Sequence, residues 1–334
     1  MKKMLLVLGV AAAAMTSCTS DEVLEMNPTN AIKFESFVNK GTRAVENVVN
    51  TDGTEVGLQK FFVFGTHGSN NDFTNTPVTY DGSGWGYTDG GDRYWVVDTY
   101  KFGAYATTNN DEFPLSTPNN VTFTGGVLQF GNFEITDDKD LVAALKTVPI
   151  ERLSAAPSEV SLQFEHMLAK VKFTFTNTHE LDGTTMDITD FKITNLPKVG
   201  TCTYGGDPIV VWDPNDDASN YITRTLGNQS NIAHNSVFTD ELFVMPEVIG
   251  DNILVSFNVT YKNSQSEIIG QKSYENISLQ STNISNNTWV NGLVYNYTAD
   301  LPFSPNKIVF TASVGEWDDD NVVPDIDDTE DVEF

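Results

Sequence analysis

From Lys170 to Thr176 the chain reads Lys-Val-Lys-Phe-Thr-Phe-Thr, with polar and apolar side chains in strict alternation. A period of two sends every second side chain to the same face, which is the geometry of a half-buried strand and not of a helix. Short strand-like runs recur at 61–64, 94–97, 100–105, 121–123, 127–130, 160–167, 190–196, 241–244, 253–261, 295–301 and 307–314. Clusters of Asn, Gly and Asp separate many of them. Asp81-Gly82-Ser83-Gly84, between residues 77–80 and Trp85-Gly86-Tyr87, marks a hairpin. Many short strands divided by turns specify an all-β sandwich or barrel, not a strand–helix repeat. One segment departs from the pattern. Asp137–Lys146 starts with acidic residues, and Leu141, Leu145 and Val148 fall on one helical face, so a helix is expected there. The polar stretch Arg152–Pro157 separates two halves of similar pattern and is expected to link two sandwich domains.

The N-terminus carries a separate message. Met1-Lys2-Lys3 precedes an apolar run from Met4 to Met15, followed by Thr16-Ser17-Cys18. The run is shorter than the roughly 20 residues that span a bilayer, so it reads as a cleaved secretory signal. Small residues followed by a cysteine resemble the lipobox of bacterial lipoproteins, in which the thiol is acylated. Thr19-Ser20-Asp21-Glu22 then resembles the acidic tag that takes Bacteroidales lipoproteins to the outer face of the outer membrane.

The formal net charge is −27, and two of the lysines lie in the signal. Such a chain has no electrostatic attraction for nucleic acid or anionic headgroups. If Cys18 is lipidated, Cys202 has no partner, and no disulfide framework is expected. Thr201-Cys202-Thr203-Tyr204 suits a strand with an inert buried thiol. The four histidines, His67, His166, His179 and His234, lack metal-site spacing, and no nucleophile elbow, phosphate loop or dinucleotide fingerprint is present. No catalytic residue, metal or cofactor is expected. Asp213–Asp217 and Asp318–Asn321 lack the ligand spacing of a calcium loop and read as solvated turns. Trp85, Tyr87, Tyr94 and Trp95 would stack on sugar rings if exposed together; packing in a sandwich core is the expected use.

Five pieces then point to one family. Leu162–Val171, Trp289–Tyr297 and Ile308–Trp317, together with Ile32-Lys33-Phe34 ahead of Gly41-Thr42-Arg43-Ala44 and the run 61–65, resemble in order and spacing the fimbrillins, subunits of Bacteroidales type V pili. The resemblance implies two tandem transthyretin-like (Greek-key) β-sandwich domains. The expected division is signal peptide 1–17, lipidated segment 18–43, sandwich domains 44–156 and 157–317, and an acidic tail 318–334, which by composition is disordered or extended. It further implies lipidation at Cys18, proteolysis between Arg43 and Ala44, and removal of a strand formed by Ile32, Phe34, Ser36 and Val38. A neighbouring subunit would fill the vacated groove by β-augmentation. The tail has few apolar residues for a donor strand, which leaves the donor segment open. The expected partners are other pilus subunits, the outer membrane through the lipid on Cys18, and a host glycan or protein as adhesive ligand. A surface glycan-binding lipoprotein is the alternative.

Overall fold

The computed structural model describes residues 30–37, 48–49, 55–56, 58–87, 91–107, 121–135, 140–206, 209–215, 217–303, 308 and 310–317. Cys18, Val38, Arg43, Ala44 and the acidic tail lie outside them. Among the described residues there is no α-helix, and the chain is an all-β sandwich protein.

The N-terminal half is built on a six-stranded antiparallel sheet. Its order is β12 (Glu165–His166), β10 (Leu141–Pro149), β7 (Thr99–Thr107), β4 (Lys60–His67), β5 (Asn70–Tyr80) and β6 (Trp85–Tyr87). Both faces of this sheet are covered. Tyr100, Phe102, Ala104 and Ala106 of β7 join a core with Ile32, Phe34, Val160 and Leu162. Those four belong to a ribbon in which β1 (Phe34–Phe37) runs parallel to β11 (Val160–Gln163), or lie next to it, with Phe34 opposite Val160. Tyr105 of the same strand joins a second core with Leu128, Phe130, Cys202 and Tyr204. That face is closed by a four-stranded sheet of β8 (Val121–Thr124), β9 (Val127–Glu134), β15 (Val199–Tyr204) and β16 (Val210–Pro214), in the order β16-β15-β9-β8. A short pair, β2 (Val48–Val49) and β3 (Glu55–Val56), stands apart.

The C-terminal half is a two-layer sandwich. One sheet has the order β19 (Val237–Val244), β13 (Ala169–Asn177), β22 (Leu293–Leu301) and β23 (Thr311–Glu316). The other has the order β17 (Tyr221–Thr225), β14 (Thr185–Pro197), β20 (Leu254–Lys262) and β21 (Ile268–Ser278), with β18 (Gln229–Ala233) also on β14. The alternation that marked Lys170–Thr176 does what a period of two requires: Val171, Phe173 and Phe175 are buried against Phe191 and Phe257 of the facing sheet.

Two expectations are corrected. Residues 141–149 form strand β10, not the end of a helix, while 137–139 lie outside the described residues. Leu141 to Ala144 are all buried because β10 lies inside a sheet covered on both faces. Such a strand shows a continuous apolar run, and Leu141 and Leu145 imitate a helical stripe. Residues 94–97 supply only a single bridge, Tyr94 to Ala31, rather than a strand. Strand pairing also crosses the expected boundary at 156/157. Val160, Leu162 and Phe164 belong to the first core, and the hairpin β15–β16 completes the second sheet of the N-terminal half.

Candidate functional site

The segment 30–37 is held by two different parts of the chain. Its first half pairs with residues 93–95: Ile32 N–H donates to Arg93 O at 2.7 Å, and Trp95 N–H donates to Asn30 O at 3.0 Å. Its second half pairs with β11, beginning with Val160 N–H to Lys33 O at 2.7 Å. Tyr87 ties the two parts together. Its hydroxyl donates to Ile32 O at 2.9 Å and accepts from Arg93 N–H at 3.2 Å. Trp95 is buried, and its indole N–H donates to Pro157 O at 3.1 Å. Val96 N–H donates to the Tyr100 hydroxyl at 2.9 Å, and burial raises that phenol above its ordinary range. It therefore remains a neutral hydroxyl at physiological pH.

Two of the expected strand residues are in the core. Ile32 is 1% exposed and Phe34 is 2% exposed, while Lys33 between them faces solvent. Ser36 is a strand residue opposite Leu162. Phe34 meets four rings, Phe61, Phe73, Tyr87 and Phe102, all edge-on, with centroids 5.1 to 6.1 Å away. Of the aromatic cluster noted in the sequence, Trp95 is in this core and Trp85 and Tyr87 are partly buried against it, while Tyr94 is half-exposed. Trp85 packs on Phe61 and Tyr80, and Tyr87 walls the Phe34 pocket. The roles of Tyr87 and Arg93 were not legible from the sequence, because nothing local signals that residues 87–95 pair with residues 30–34.

The C-terminal landmarks of the sequence meet at one seam. His166 is buried and hydrogen-bonded through Nδ1 to Asp140 of the neighbouring segment. Its backbone carbonyl accepts from the Asn291 side chain at 3.1 Å, and Gly292 N–H donates to Leu168 O at 2.8 Å. Trp317 stacks on the His166 ring at 3.9 Å and on Phe243 at 5.5 Å, with Lys170 Nζ 5.0 Å from the indole centroid. The three segments around residues 162–171, 289–297 and 308–317 thus converge. Their residue types serve packing between the two halves.

The sequence profile of the fimbrillin-like family matches residues 42–317. A fimbrial protein from Bacteroides vulgatus has a similar fold at 16% identity, with 86% of this chain and 99% of that one covered and a TM-score of 0.58. A candidate cell adhesion protein from Bacteroides uniformis is similar at 15% identity, with coverage of 86% and 99% and a TM-score of 0.50. No curated protein matches the chain.

Proposed function

The chain belongs to the fimbrillin-like family, and from that premise we propose that it is a structural and adhesive subunit of a cell-surface pilus. It is exported as a lipoprotein on Cys18, cut after Arg43, and assembled by strand exchange. The observation that carries this proposal is the position of residues 30–37. They lie upstream of Arg43, yet Ile32 and Phe34 fill the first core. Burying each side chain contributes about 1.5–3 kcal/mol. A cut after Arg43 would leave this segment bound without a covalent link to the sheet that it covers. Its loss would expose apolar surface and the unpaired N–H and C=O groups of β11, which is unfavourable until another strand fills the space.

The function is structural, with no catalytic chemistry, and the partners are other pilus subunits at the outer-membrane surface. The experiment is digestion of purified protein with an arginine-specific protease, followed by light scattering and electron microscopy. Cutting after Arg43 should convert monomers into polymers, and Arg43→Ala should leave folded monomers. A clean cut that yields only monomers, even with fresh subunits added, would reject strand exchange. Lipidation has its own test: Cys18→Ser should release the protein from membranes, and wild-type membrane attachment of that variant would reject the lipid anchor.

A further inference from the structure

The pocket around Phe34 carries more information than a filled core position. One ring comes from each of four neighbouring strands of the six-stranded sheet: Phe102 from β7, Phe61 from β4, Phe73 from β5 and Tyr87 from β6. These walls also support one another. Phe73 packs edge-on against Tyr87 at 5.2 Å and lies 6.2 Å from Phe102. Phe61 rests on Trp85 at 4.9 Å and Phe164 at 5.5 Å. Gly65 of β4 leaves room for two of the rings, since a Cβ there would lie 2.7 Å from Phe73 and 2.9 Å from Phe102. The Arg93 guanidinium sits 4.7 Å from the Phe73 centroid and 5.0 Å from that of Tyr87, and its Nε donates to Asp72 O at 2.7 Å. The walls thus make contacts with one another and with Arg93 that do not involve Phe34.

The main chain of the occupant is fixed two residues earlier. Arg93 O and the Tyr87 hydroxyl grip the N–H and C=O of Ile32, whose side chain is buried in the same core. Backbone is read at position 32 and a ring is accepted at position 34. The residue between them faces solvent.

We propose that this cage is the specificity pocket of the groove, resting on the strand-exchange function above. The partner it selects is an extended segment with an aliphatic side chain, then a polar residue, then an aromatic ring. Edge-on contact with four rings favours an aromatic occupant over an aliphatic one of similar bulk. A segment with alanine at the ring position fills neither the volume nor the edges and binds about 100-fold more weakly.

The test uses the full chain with a site for a sequence-specific protease placed over residues 39–43, so that nicking does not depend on the natural arginine. After nicking, retention of the N-terminal fragment is followed by size-exclusion chromatography and mass spectrometry. A labelled synthetic peptide spelling residues 30–37 is added as competitor, with Phe, Leu or Ala at position 34. The nicked wild type should hold its fragment, and Phe34→Ala should lose it at least 10-fold faster. Phe34→Leu, which keeps bulk without a ring, serves if the alanine variant does not fold and should fall between the two. The Phe peptide should displace the fragment and the Ala peptide should not. Equal retention across the variants, or equal potency of the peptides, would overturn the cage as a selector. The two proposals fail separately. Polymerisation after nicking, together with equal potency of the Phe, Leu and Ala peptides, rejects the cage and keeps strand exchange. Peptide selectivity without polymerisation keeps the cage and rejects strand exchange.

Discussion

At the scale of single residues, two buried groups make measurable statements. Glu247 is partly buried, its Oε1 has no hydrogen-bond partner among the described residues, and burial pushes its carboxyl from 4.5 up to about 8. A folded-state value above the unfolded one means that the folded chain keeps a proton that the unfolded chain releases. The favourable contribution is therefore complete below about pH 4.5 and is lost as pH rises toward about 8. Glu247→Gln cannot ionise. It should match the wild type near pH 4 and exceed it by on the order of a few kcal/mol near pH 9, read from urea melts at each pH. Identical pH profiles would show that the carboxyl is solvated. Cys202 is fully buried, and burial pushes its thiol up to about 12. Only the thiolate reacts, so a thiol reagent at neutral pH should label the unfolded chain and leave the folded one unmodified. Fast labelling of folded protein would mean that β15 is not seated in its sheet. The sequence already suggested an inert thiol from its Thr-Cys-Thr-Tyr setting. It gave no sign of the lone carboxyl, because the burial of Glu247 depends on tertiary packing around it.

At the scale of elements, the hairpin β15–β16 is the informative case. It follows β14 of the C-terminal sandwich, yet it pairs with β9 of the N-terminal half, with Cys202 opposite Phe130. The turn between its strands begins at Gly205, whose φ is +112°, and whose N–H donates to Ile209 O at 2.7 Å. A Cβ at this position would lie 2.8 Å from Leu145 and 2.9 Å from Gly126 O. Gly205→Ala combines backbone strain with a clash against β10 and the β8–β9 turn, and should destabilise the protein by about 1–3 kcal/mol. A thermal melt reads this as a lowered midpoint, and an unchanged midpoint would show that the hairpin is loosely attached. The contrast with β13 explains what was legible at this scale. The alternation of β13 exists because only one of its faces is buried in the sandwich core. β10 has no alternation because both of its faces are buried, and a local pattern cannot separate that from a helix.

At the scale of the whole molecule, the two halves are not independent. The β9–β15 pairing joins them, and buried Arg224 of β17 donates to Ile135 O at 2.9 Å, beyond the end of β9. Met167, Leu168, Met245, Val294 and Trp317 share a core with Tyr105 and Phe130. Separating the halves would expose this surface, so calorimetry should record one cooperative transition, with calorimetric and van't Hoff enthalpies in agreement. Two resolved transitions would show that the seam is weaker than either half. The net charge of −27 acts at the same scale. No DNA binding is expected at physiological salt, and salt-dependent micromolar binding would contradict that.

The sequence by itself determined the β class, the hairpin turn at Asp81–Gly84 and the net acidic charge. These follow from side-chain period, turn chemistry and composition, which are local properties. The alternation of Ile32, Lys33 and Phe34 is local in the same sense, although the strand that forms there, β1, covers only Phe34–Phe37. Only the tertiary structure decided which strands are neighbours. β13 lies parallel to β22, with Lys170 opposite Val294, and residues 30–34 meet residues 93–95 on one side and β11 on the other. A strand with a period of two will pair with any edge that buries its apolar face, so the choice rests on the shape and depth of distant surfaces. The cage around Phe34 is such a surface, made of four rings from four strands that no local pattern connects.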